Sequence, residues 1–338
     1  MNILNNISLL PYNSFGIDVR TKYFAEYQNI EELYQLLESD IARREKLLQI
    51  GSGSNLLFVS DFEGIILYSK IKFIEKMAET DGEVFLRVGS GVVWDDFVNY
   101  CVTNNYIGAE NLSLIPSQTG AAAVQNIGAY GVEISDIVQT VETIDIQTLE
   151  KQIFTNSECQ YDYRTSVFKT DLKGKKIVTA VEFCLSKKPN FNLSYANLKQ
   201  EILKNYSEIN LSNIRATIIS IRDSKLPNPK IKGNAGSFFT NPYICIAHFE
   251  KLKKTYPEIP YYPVNEELVK IPAAWLIEQC GWKGKQRGRA AVNAAQPLVL
   301  VNQGSAAGAE ILALAQEIQK SIKEKFAINL KLEVEVIF

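Results

Sequence analysis

Histidine and cysteine are scarce in this chain: its 338 residues include one histidine, His248, and five cysteines. A single histidine removes the commonest general base and metal ligand from any site that needs several, which argues against catalytic triads and zinc hydrolases. The cysteines are odd in number and form no C-x-x-C pair, which argues against a disulfide framework and a thiolate metal site. We therefore expect no metal centre and a packing or surface role for His248.

Long apolar runs and a strong charge imbalance are also missing. No segment approaches the roughly 20 apolar residues that cross a bilayer, and the opening MNILNNISLLPYN lacks the basic start of a secretory signal. The formal net charge of -2 gives no global attraction to nucleic acid or to an anionic membrane. We expect a cytoplasmic protein without nucleic-acid or membrane partners. Because no heptad seam or exposed apolar helix face stands out, we also expect a monomer.

What the chain does contain is a hydrophobic fraction of 46% and a length that suits two or three domains. Helical apolar spacing predicts a helix within residues 29–48, and apolar runs predict strands on both sides of a glycine-rich loop. We predict an α+β protein with domains at 1–70, 71–222 and 223–338. In this division the last strand of the third domain is free to return toward the first two domains.

The loop GSGSN, from Gly51 to Asn55, lies between two predicted strands. Consecutive backbone N–H groups with small side chains form an anion-binding concavity that suits a diphosphate. The loop is not a Rossmann fingerprint, since Leu56 takes the place of the third glycine and a strand follows, nor a Walker loop, since G-K-[ST] is missing. Taken alone, this loop is interpreted equally well as a phosphate-binding site or as a tight hairpin.

The segment LSLIPSQTGAAAVQNIGAYGVE, residues 112–133, has almost no charge and is dense in small side chains. We predict a long loop that lies against a large planar cofactor, with Gln125 and Asn126 offering amide donors and acceptors to a heteroaromatic ring edge. A buried connection between domains is the alternative.

Three further segments contain charged side chains that could serve a ligand. Arg164, among the aromatic residues of YDYRTSVFK, is suited to pair with a carboxylate, either of a ligand or of a neighbouring side chain. In LKLEVEVIF, strand alternation places Glu335 on one face with Lys331 and Glu333, where it reaches a site or faces water. The basic stretch KGKQRGR, residues 283–289, is either an anion-attracting surface or a solvated loop.

The stretch GNAGSFFTNP contains one serine, Ser237, between glycines and a pair of aromatic residues. Gly233 and Gly236 allow close approach to Ser237, while Phe238 and Phe239 anchor the chain that follows. The alternative is a hairpin turn in which Ser237 bonds its own backbone.

Taken in order, these segments resemble the UDP-N-acetylenolpyruvoylglucosamine reductase family, flavoenzymes also called UDP-N-acetylmuramate dehydrogenases. The resemblance covers nearly the whole chain and is carried by GSGSNLLF, QNIGAYGVE, YRTSVFK, SKLPNPK with GNAGSFFTNP, and LEVEV. FNLSYANL with Tyr195 resembles the form that carries a substrate-covering tyrosine loop. Two departures stand out: Ser117 replaces a usual glycine, so that turn must accommodate a side chain, and AAAV replaces a proline-containing version before QN.

The resemblance implies an FAD-binding fold of the vanillyl-alcohol-oxidase kind in subdomains 1–70 and 71–222, followed by an α+β substrate-binding domain. It also implies noncovalent FAD and NADPH-dependent reduction of the enolpyruvyl ether of UDP-N-acetylglucosamine enolpyruvate to UDP-N-acetylmuramate, in peptidoglycan precursor synthesis. The alternatives are a flavin oxidase of the same cofactor fold acting on a small alcohol donor, and a catalytically silent nucleotide-sugar-binding protein.

By the same resemblance, Ser237 is the proton donor, and Arg164 and Glu335 bind and polarise the substrate carboxylate. The other implied substrate-binding residues are Tyr195, Lys225, Asn241 and Gln296. The implied FAD-binding residues are Gly51, Ser52, Gly53, Ser54, Asn55, Ile115, Ser117, Gly120, Gln125, Asn126, Gly128, Ala129 and Arg222.

Overall fold

The computed structural model describes residues 2–195 and 197–338, so Met1, and Ala196 within the FNLSYANL segment, lie outside the described residues. The helices in chain order are α1 (Ile30–Glu38), α2 (Asp40–Arg44), α3 (Trp94–Thr103), α4 (Thr119–Gln125), α5 (Leu198–Asn205), α6 (Leu211–Lys225), α7 (Ile246–Thr255), α8 (Ala273–Gln279) and α9 (Gly308–Phe326). The strands of the N-terminal half are β1 (Ile3–Ser8), β2 (Arg20–Tyr27), β3 (Lys46–Ile50), β4 (Leu56–Phe58), β5 (Phe62–Ser69), β6 (Ile74–Glu79), β7 (Glu83–Gly89), β8 (Gly128–Ala129), β9 (Val132–Glu133), β10 (Val138–Asp145) and β11 (Lys151–Thr155). The remaining strands are β12 (Lys176–Ser186), β13 (Asn234–Ser237), β14 (Tyr243–Cys245), β15 (Tyr262–Pro263), β16 (Leu268–Lys270), β17 (Gln286–Arg287), β18 (Ala290–Val292), β19 (Val299–Asn302) and β20 (Glu335–Ile337).

Capping residues divide the helix predicted within residues 29–48. The Asn29 side chain accepts a hydrogen bond from the Glu32 N–H at the start of α1, and the Ser39 side chain accepts one from the Ala42 N–H at the start of α2. Such caps satisfy backbone donors that a helix leaves unpaired at its N-terminus. The predicted helix is confirmed, but Ser39 divides it into two.

The chain forms two compact units, the first comprising the segment that ends at Ile7, Thr21–Ser52 and Glu63–Ser224. It contains one sheet of order β1-β2-β5-β3, in which β3 and β5 are parallel, and an antiparallel sheet of order β11-β10-β12-β7-β6. Phe97 and Phe183 stack at 4.7 Å between ring centroids in the core of this unit, and Trp94 lies beside them. Aromatic burial of this kind anchors α3 to the antiparallel sheet.

The second unit comprises Ser8–Arg20, Gly53–Phe62 and Lys225–Phe338. Its sheets have the orders β13-β19-β18-β17, β14-β16-β15 and β20-β4, and the last pair is parallel. The chain enters this unit at Ser8, leaves it after Arg20 and returns to it within the glycine loop, between Ser52 and Gly53. The three-domain division with boundaries after residues 70 and 222 stays a prediction. Among residues 2–195 and 197–338, no helix combines the length and apolar character that a bilayer crossing requires.

Two predictions about elements were wrong. Residues 112–133 are not one long loop, because α4 forms over their alanine run, and alanine is the best helix former. LKLEVEVIF is not one continuous strand: Leu332 forms an isolated bridge with Phe239, and β20 begins only at Glu335, where it pairs with β4. The chain changes its pairing partner between these points, which interrupts the predicted alternation.

Candidate functional site

Gln125, the last residue of α4, has a hydrogen-bond partner for its amide oxygen but, among the described residues, none for its amide nitrogen. Its Oε1 accepts a hydrogen bond from Lys169 Nζ at 2.5 Å, and the same ammonium donates to the Arg164 carbonyl at 3.1 Å. Gln125 Nε2 is buried and has no hydrogen-bond partner among the described residues. Lys169 is a residue that sequence reasoning missed, and its place in YDYRTSVFK was the only available signal.

Asn126 follows Gln125 in the left-handed region at φ 49° and is fully buried. Its Nδ2 donates to Glu133 Oε2 at 2.9 Å and to the Asp162 carbonyl at 2.8 Å, and its Oδ1 accepts from the Ser135 N–H at 3.2 Å. The Asn126 side chain therefore holds together the protein's own turns around α4.

Arg164, also at a positive φ of 58°, is held on two sides. Its Nη1 donates to Glu133 Oε1 at 3.1 Å, its Nη2 donates to the Gly128 carbonyl, and its guanidinium lies 4.9 Å from the centre of the Tyr163 ring. A Cβ at position 128 would lie 2.5 Å from Nη1, so a glycine is needed for the guanidinium to reach this position. The predicted pairing with a neighbouring carboxylate is confirmed. Glu133, its partner, was not predicted.

The residues before α4 are packed against the first unit's own backbone. A Cβ at Gly120 would lie 2.8 Å from Ser90 Cβ, and the Gly120 N–H donates to the Ser90 carbonyl at 3.1 Å. Ser117 is buried, and its hydroxyl donates to the Gln118 carbonyl at 3.0 Å. Since Ser117 is not among the residues with positive φ, the turn has no conformational need for the usual glycine.

Arg222, on α6, is the second predicted FAD-binding residue with an unsatisfied donor. Its Nε is buried and finds no hydrogen-bond partner within residues 2–195 and 197–338. Burial lowers the pKa of Arg222, while the nearby Tyr130, Asp95 and Asp223 oppose that shift. Orphaned buried donors cost roughly 1–3 kcal/mol each, so Arg222 and Gln125 both fit a ligand that offers acceptor atoms. The carbonyl and phosphate oxygens of FAD are acceptors of this kind.

The predicted tyrosine loop lies against the turn after β8. The Tyr195 ring meets the Tyr130 ring edge to face, with 5.9 Å between centroids, and Asn192 Nδ2 donates to the Gly131 carbonyl at 3.0 Å. Asn111 Nδ2 donates both to the Tyr130 carbonyl at 2.9 Å and to the Asn192 carbonyl at 2.8 Å. Tyr195 nevertheless remains 47% exposed, which leaves its side chain accessible to a ligand.

The glycine loop at 51–55 is not a hairpin, because β3 pairs with β5 while β4 pairs with β20. A Cβ at Gly51 would lie 2.7 Å from Ala121 Cβ. At Gly53, where φ is 63°, a Cβ would lie 1.9 Å from the Tyr12 carbonyl oxygen. Both glycines are thus needed for close packing within the chain. The predicted diphosphate contact at this loop stays a prediction.

Ser237 is the last residue of β13 and lies opposite Val299 of β19, so the predicted hairpin alternative is wrong. Gly236 has φ 67°, and, apart from its two chain neighbours, no described residue has an atom within 4 Å of where its Cβ would be. A Cβ at Gly233, by contrast, would lie 2.0 Å from the Phe15 carbonyl oxygen. The space beside Gly236 is therefore open, whereas the lack of a side chain at Gly233 lets the chain pack closely against Phe15.

Backbone hydrogen bonds bring other predicted site residues of the second unit next to Ser237. The Phe238 N–H donates to the Leu298 carbonyl at 2.8 Å, two residues after Gln296. The Phe238 carbonyl accepts from the Glu333 N–H at 2.9 Å, two residues before Glu335. Phe238 is fully buried, which confirms its predicted anchoring role.

Two other predicted site residues, Asn241 and Lys225, lie at the ends of helices. Asn241 Oδ1 accepts from the Ala273 N–H at 2.8 Å, where α8 begins, and Lys225 is exposed at the end of α6. His248 Nε2 bonds to the Phe326 carbonyl at 2.9 Å, which confirms its packing role.

The basic stretch at 283–289 forms ion pairs with neighbouring helices. These pairs are Lys283 with Glu278 at 2.8 Å, Arg287 with Glu317 at 3.3 Å and Arg289 with Glu310 at 3.5 Å. Its basic side chains remain between 44% and 60% exposed in these pairs. The structure favours the solvated-loop interpretation.

Comparison with known proteins shows the class to which this protein belongs. Residues 21–148 match the family model of an FAD binding domain, and residues 228–337 match that of the UDP-N-acetylenolpyruvoylglucosamine reductase C-terminal domain. These matches define an FAD-containing oxidoreductase and confirm the predicted α+β fold class, with an FAD-binding domain and a C-terminal domain of the reductase family.

Full-length relatives identify the family. The chain is 49% identical over 330 residues to the UDP-N-acetylenolpyruvoylglucosamine reductase of Bacteroides fragilis, with 98% of each chain covered. It is 45% identical over 337 residues to the Porphyromonas gingivalis enzyme of the same name, with 100% of each covered. A crystal structure of the Thermus caldophilus reductase matches with a TM-score of 0.69, at 23% identity, over 99% of both chains. The chain belongs to the UDP-N-acetylenolpyruvoylglucosamine reductase family.

Proposed function

We propose that this chain reduces the enolpyruvyl ether of UDP-N-acetylglucosamine enolpyruvate to UDP-N-acetylmuramate, with NADPH as reductant and noncovalent FAD as cofactor, in peptidoglycan precursor synthesis. The observation that carries the proposal is the 49% identity to a reductase of this name over 98% of both chains. Bound FAD would be held by the buried donors of Gln125 and Arg222, and it would supply the two-electron chemistry that links oxidation of NADPH to reduction of the substrate's vinyl group. The flavin-oxidase alternative is not favoured, because residues 228–337 match the reductase family's own C-terminal domain.

Ser237 is proposed as the proton donor. Hydride addition leaves enolate character on the carbon beside the substrate carboxylate, and such a carbon is strongly basic. A hydroxyl is a weak acid, but a well-placed weak acid is sufficient for so basic an acceptor, so no histidine is required. The open space at Gly236 supports this role, because it leaves room for a reacting group beside Ser237.

Arg164 and Glu335 are proposed to bind and polarise the substrate carboxylate. Arg164 is suited to this role because Glu133 and the Gly128 carbonyl fix its guanidinium before any substrate arrives. A preorganised cation stabilises developing negative charge without having to reorient during the reaction. Glu335 is fixed through its own N–H, which donates to the Asn55 carbonyl at 2.9 Å.

The remaining assignments follow the sequence prediction. Tyr195 and Lys225 contact the substrate diphosphate, and Asn241 and Gln296 complete the substrate set. Gln125 and Arg222 supply buried donors to FAD, an assignment supported by their unsatisfied atoms. The other residues assigned to FAD are Gly51, Ser52, Gly53, Ser54, Asn55, Ile115, Ser117, Gly120, Asn126, Gly128 and Ala129. The proposal also includes a cytoplasmic monomer, with FAD-binding subdomains at 1–70 and 71–222 and a substrate-binding domain at 223–338.

The test is product analysis with the FAD-loaded protein in the absence of oxygen. We expect one UDP-N-acetylmuramate per NADPH consumed, identified by mass spectrometry. Oxygen-dependent turnover of an alcohol, without this product, would instead establish the flavin oxidase. Binding of the nucleotide sugar with no NADPH consumption would establish the silent binding protein.

A further inference from the structure

The contact between Lys169 and Gln125 determines which end of the glutamine amide faces the protein. A lysine ammonium has hydrogen-bond donors and no acceptor. The Gln125 atom that faces Lys169 Nζ at 2.5 Å must therefore be the carbonyl oxygen, Oε1. The NH2 group of Gln125 is consequently turned away from Lys169.

The Gln125 NH2 group has no acceptor in the described part of the chain, although Nε2 is buried. An amide free to rotate would exchange its two ends to avoid burying an unsatisfied donor, which costs roughly 1–3 kcal/mol. Exchange here would place NH2 against the Lys169 ammonium, so donor would face donor. Lys169 thus enforces an orientation that leaves the Gln125 NH2 group available to an acceptor atom of a ligand.

We propose that Lys169 is a positioning residue that fixes the Gln125 amide so that it donates a hydrogen bond to FAD. This inference rests on the proposed function, because it requires FAD at this site. Hydrogen bonds to the isoalloxazine ring tune its electronics. A donor favours the electron-rich reduced flavin over the oxidised flavin, so the Lys169–Gln125 pair raises the midpoint potential of the bound cofactor.

Four variants separate orientation from folding. Gln125→Glu retains an acceptor for Lys169 and forms an ion pair with it, but presents an acceptor to the ligand instead of a donor. Lys169→Met retains most of the apolar stem and frees the amide to rotate, whereas Lys169→Arg retains a donor. Lys175→Met is the matched control, because Lys175 Nζ donates to the Asp171 carbonyl on the exposed surface.

The measurements are the FAD dissociation constant of each apoprotein, by flavin fluorescence, and the midpoint potential of each FAD complex, by equilibration with a reference dye. We expect Gln125→Glu to bind reduced FAD about tenfold less tightly relative to oxidised FAD, which lowers a two-electron potential by about 30 mV. Lys169→Met should shift the potential in the same direction, Lys169→Arg should restore most of it, and Lys175→Met should leave it unchanged.

Unchanged potentials in Gln125→Glu and Lys169→Met, with FAD bound and thermal unfolding as in the wild type, would overturn the role of Lys169 while leaving the proposed function intact. A shift in Lys175→Met as large as that in Lys169→Met would also overturn it, since the effect would then be one of charge alone. A wild-type protein that binds no FAD would overturn both the inference and the proposed function.

Discussion

Replacing Asp95 with asparagine should destabilise the first unit, because this carboxylate joins three segments. Asp95, near the start of α3, accepts hydrogen bonds from Arg215 Nη1 at 2.7 Å, from Arg215 Nη2 at 2.8 Å and from the Leu114 N–H at 2.5 Å. The side chains of Arg215 and Asp95 are only 13% and 26% exposed. Asp95→Asn removes the charge and one acceptor oxygen, and leaves the Arg215 guanidinium without its bidentate partner.

The expected cost follows from this burial. Breaking a fully buried ion pair costs about 3–5 kcal/mol, and an exposed pair contributes at most about 1 kcal/mol. The pair between Asp95 and Arg215 is mostly buried, so we expect a loss of about 2–3 kcal/mol in the free energy of unfolding. Glu324→Gln is the control, because its pair with Lys320 spans 4.0 Å and its side chains are 66% and 77% exposed. That change should cost less than about 0.5 kcal/mol.

The effect should also depend on pH. Burial by itself raises the pKa of Asp95, but the hydrogen bonds and charge of Arg215 and the Leu114 N–H outweigh it, so the net pKa lies below its ordinary value. Because the pKa of Asp95 is lower in the folded protein, its carboxylate stabilises the fold at pH values above the ordinary aspartate pKa of about 4. That stabilisation is lost as the pH falls through the folded-state pKa. The difference between wild type and Asp95→Asn should therefore shrink below about pH 4.

Urea denaturation followed by circular dichroism at pH 7 and at low pH measures these differences. Equal small losses for Asp95→Asn and Glu324→Gln at pH 7 would refute the reasoning that burial gives this pair its strength. A difference that stays constant down to low pH would refute the assignment of the ionised carboxylate.

Three further substitutions test the site and the glycine loop. Ser237→Ala should leave reduction of the flavin by NADPH nearly intact and slow substrate reduction by about 10³-fold, measured by stopped-flow absorbance of each half-reaction, and equal losses in both would contradict its role. Tyr195→Phe should chiefly weaken substrate binding, and an unchanged Kd by titration calorimetry would contradict that assignment. Gly53→Ala should prevent stable folding, because its Cβ would lie 1.9 Å from the Tyr12 carbonyl oxygen. Gly174→Ala is the control: its φ is 72°, and beyond its chain neighbours no described atom lies within 4 Å of the added Cβ, so it should cost only about 1–2 kcal/mol in a melting curve.

Local patterns in the sequence were sufficient to predict much of the fold. Apolar spacing, which acts over a few residues, predicts the helix within residues 29–48, while its division at the Ser39 cap into α1 and α2 was not predicted. Breaks in regular patterns were predicted less well. The sequence pattern predicts one closing strand, but pairing with β4 begins only at Glu335, because the preceding residues bond to the segment around Phe239 instead.

The candidate site was predictable as a set of segments but not as a set of contacts. Lys169 and Gln125 are 44 positions apart, and Arg164 and Glu133 are 31 apart, so no local pattern pairs them. The same limit applies to glycines: the motif marks Gly233 as a position without a side chain, but only the fold shows that the Phe15 carbonyl fills the space. Long-range packing, which a single sequence does not reveal, determines such partners.

The most direct test of the account is the absorbance of the FAD-loaded protein under anaerobic conditions, with NADPH added first and UDP-N-acetylglucosamine enolpyruvate second. We predict that NADPH bleaches the flavin absorbance and that the substrate then restores the oxidised spectrum. Bleaching that the substrate does not reverse would contradict the central claim, because it would show a flavoprotein whose electron acceptor is another molecule.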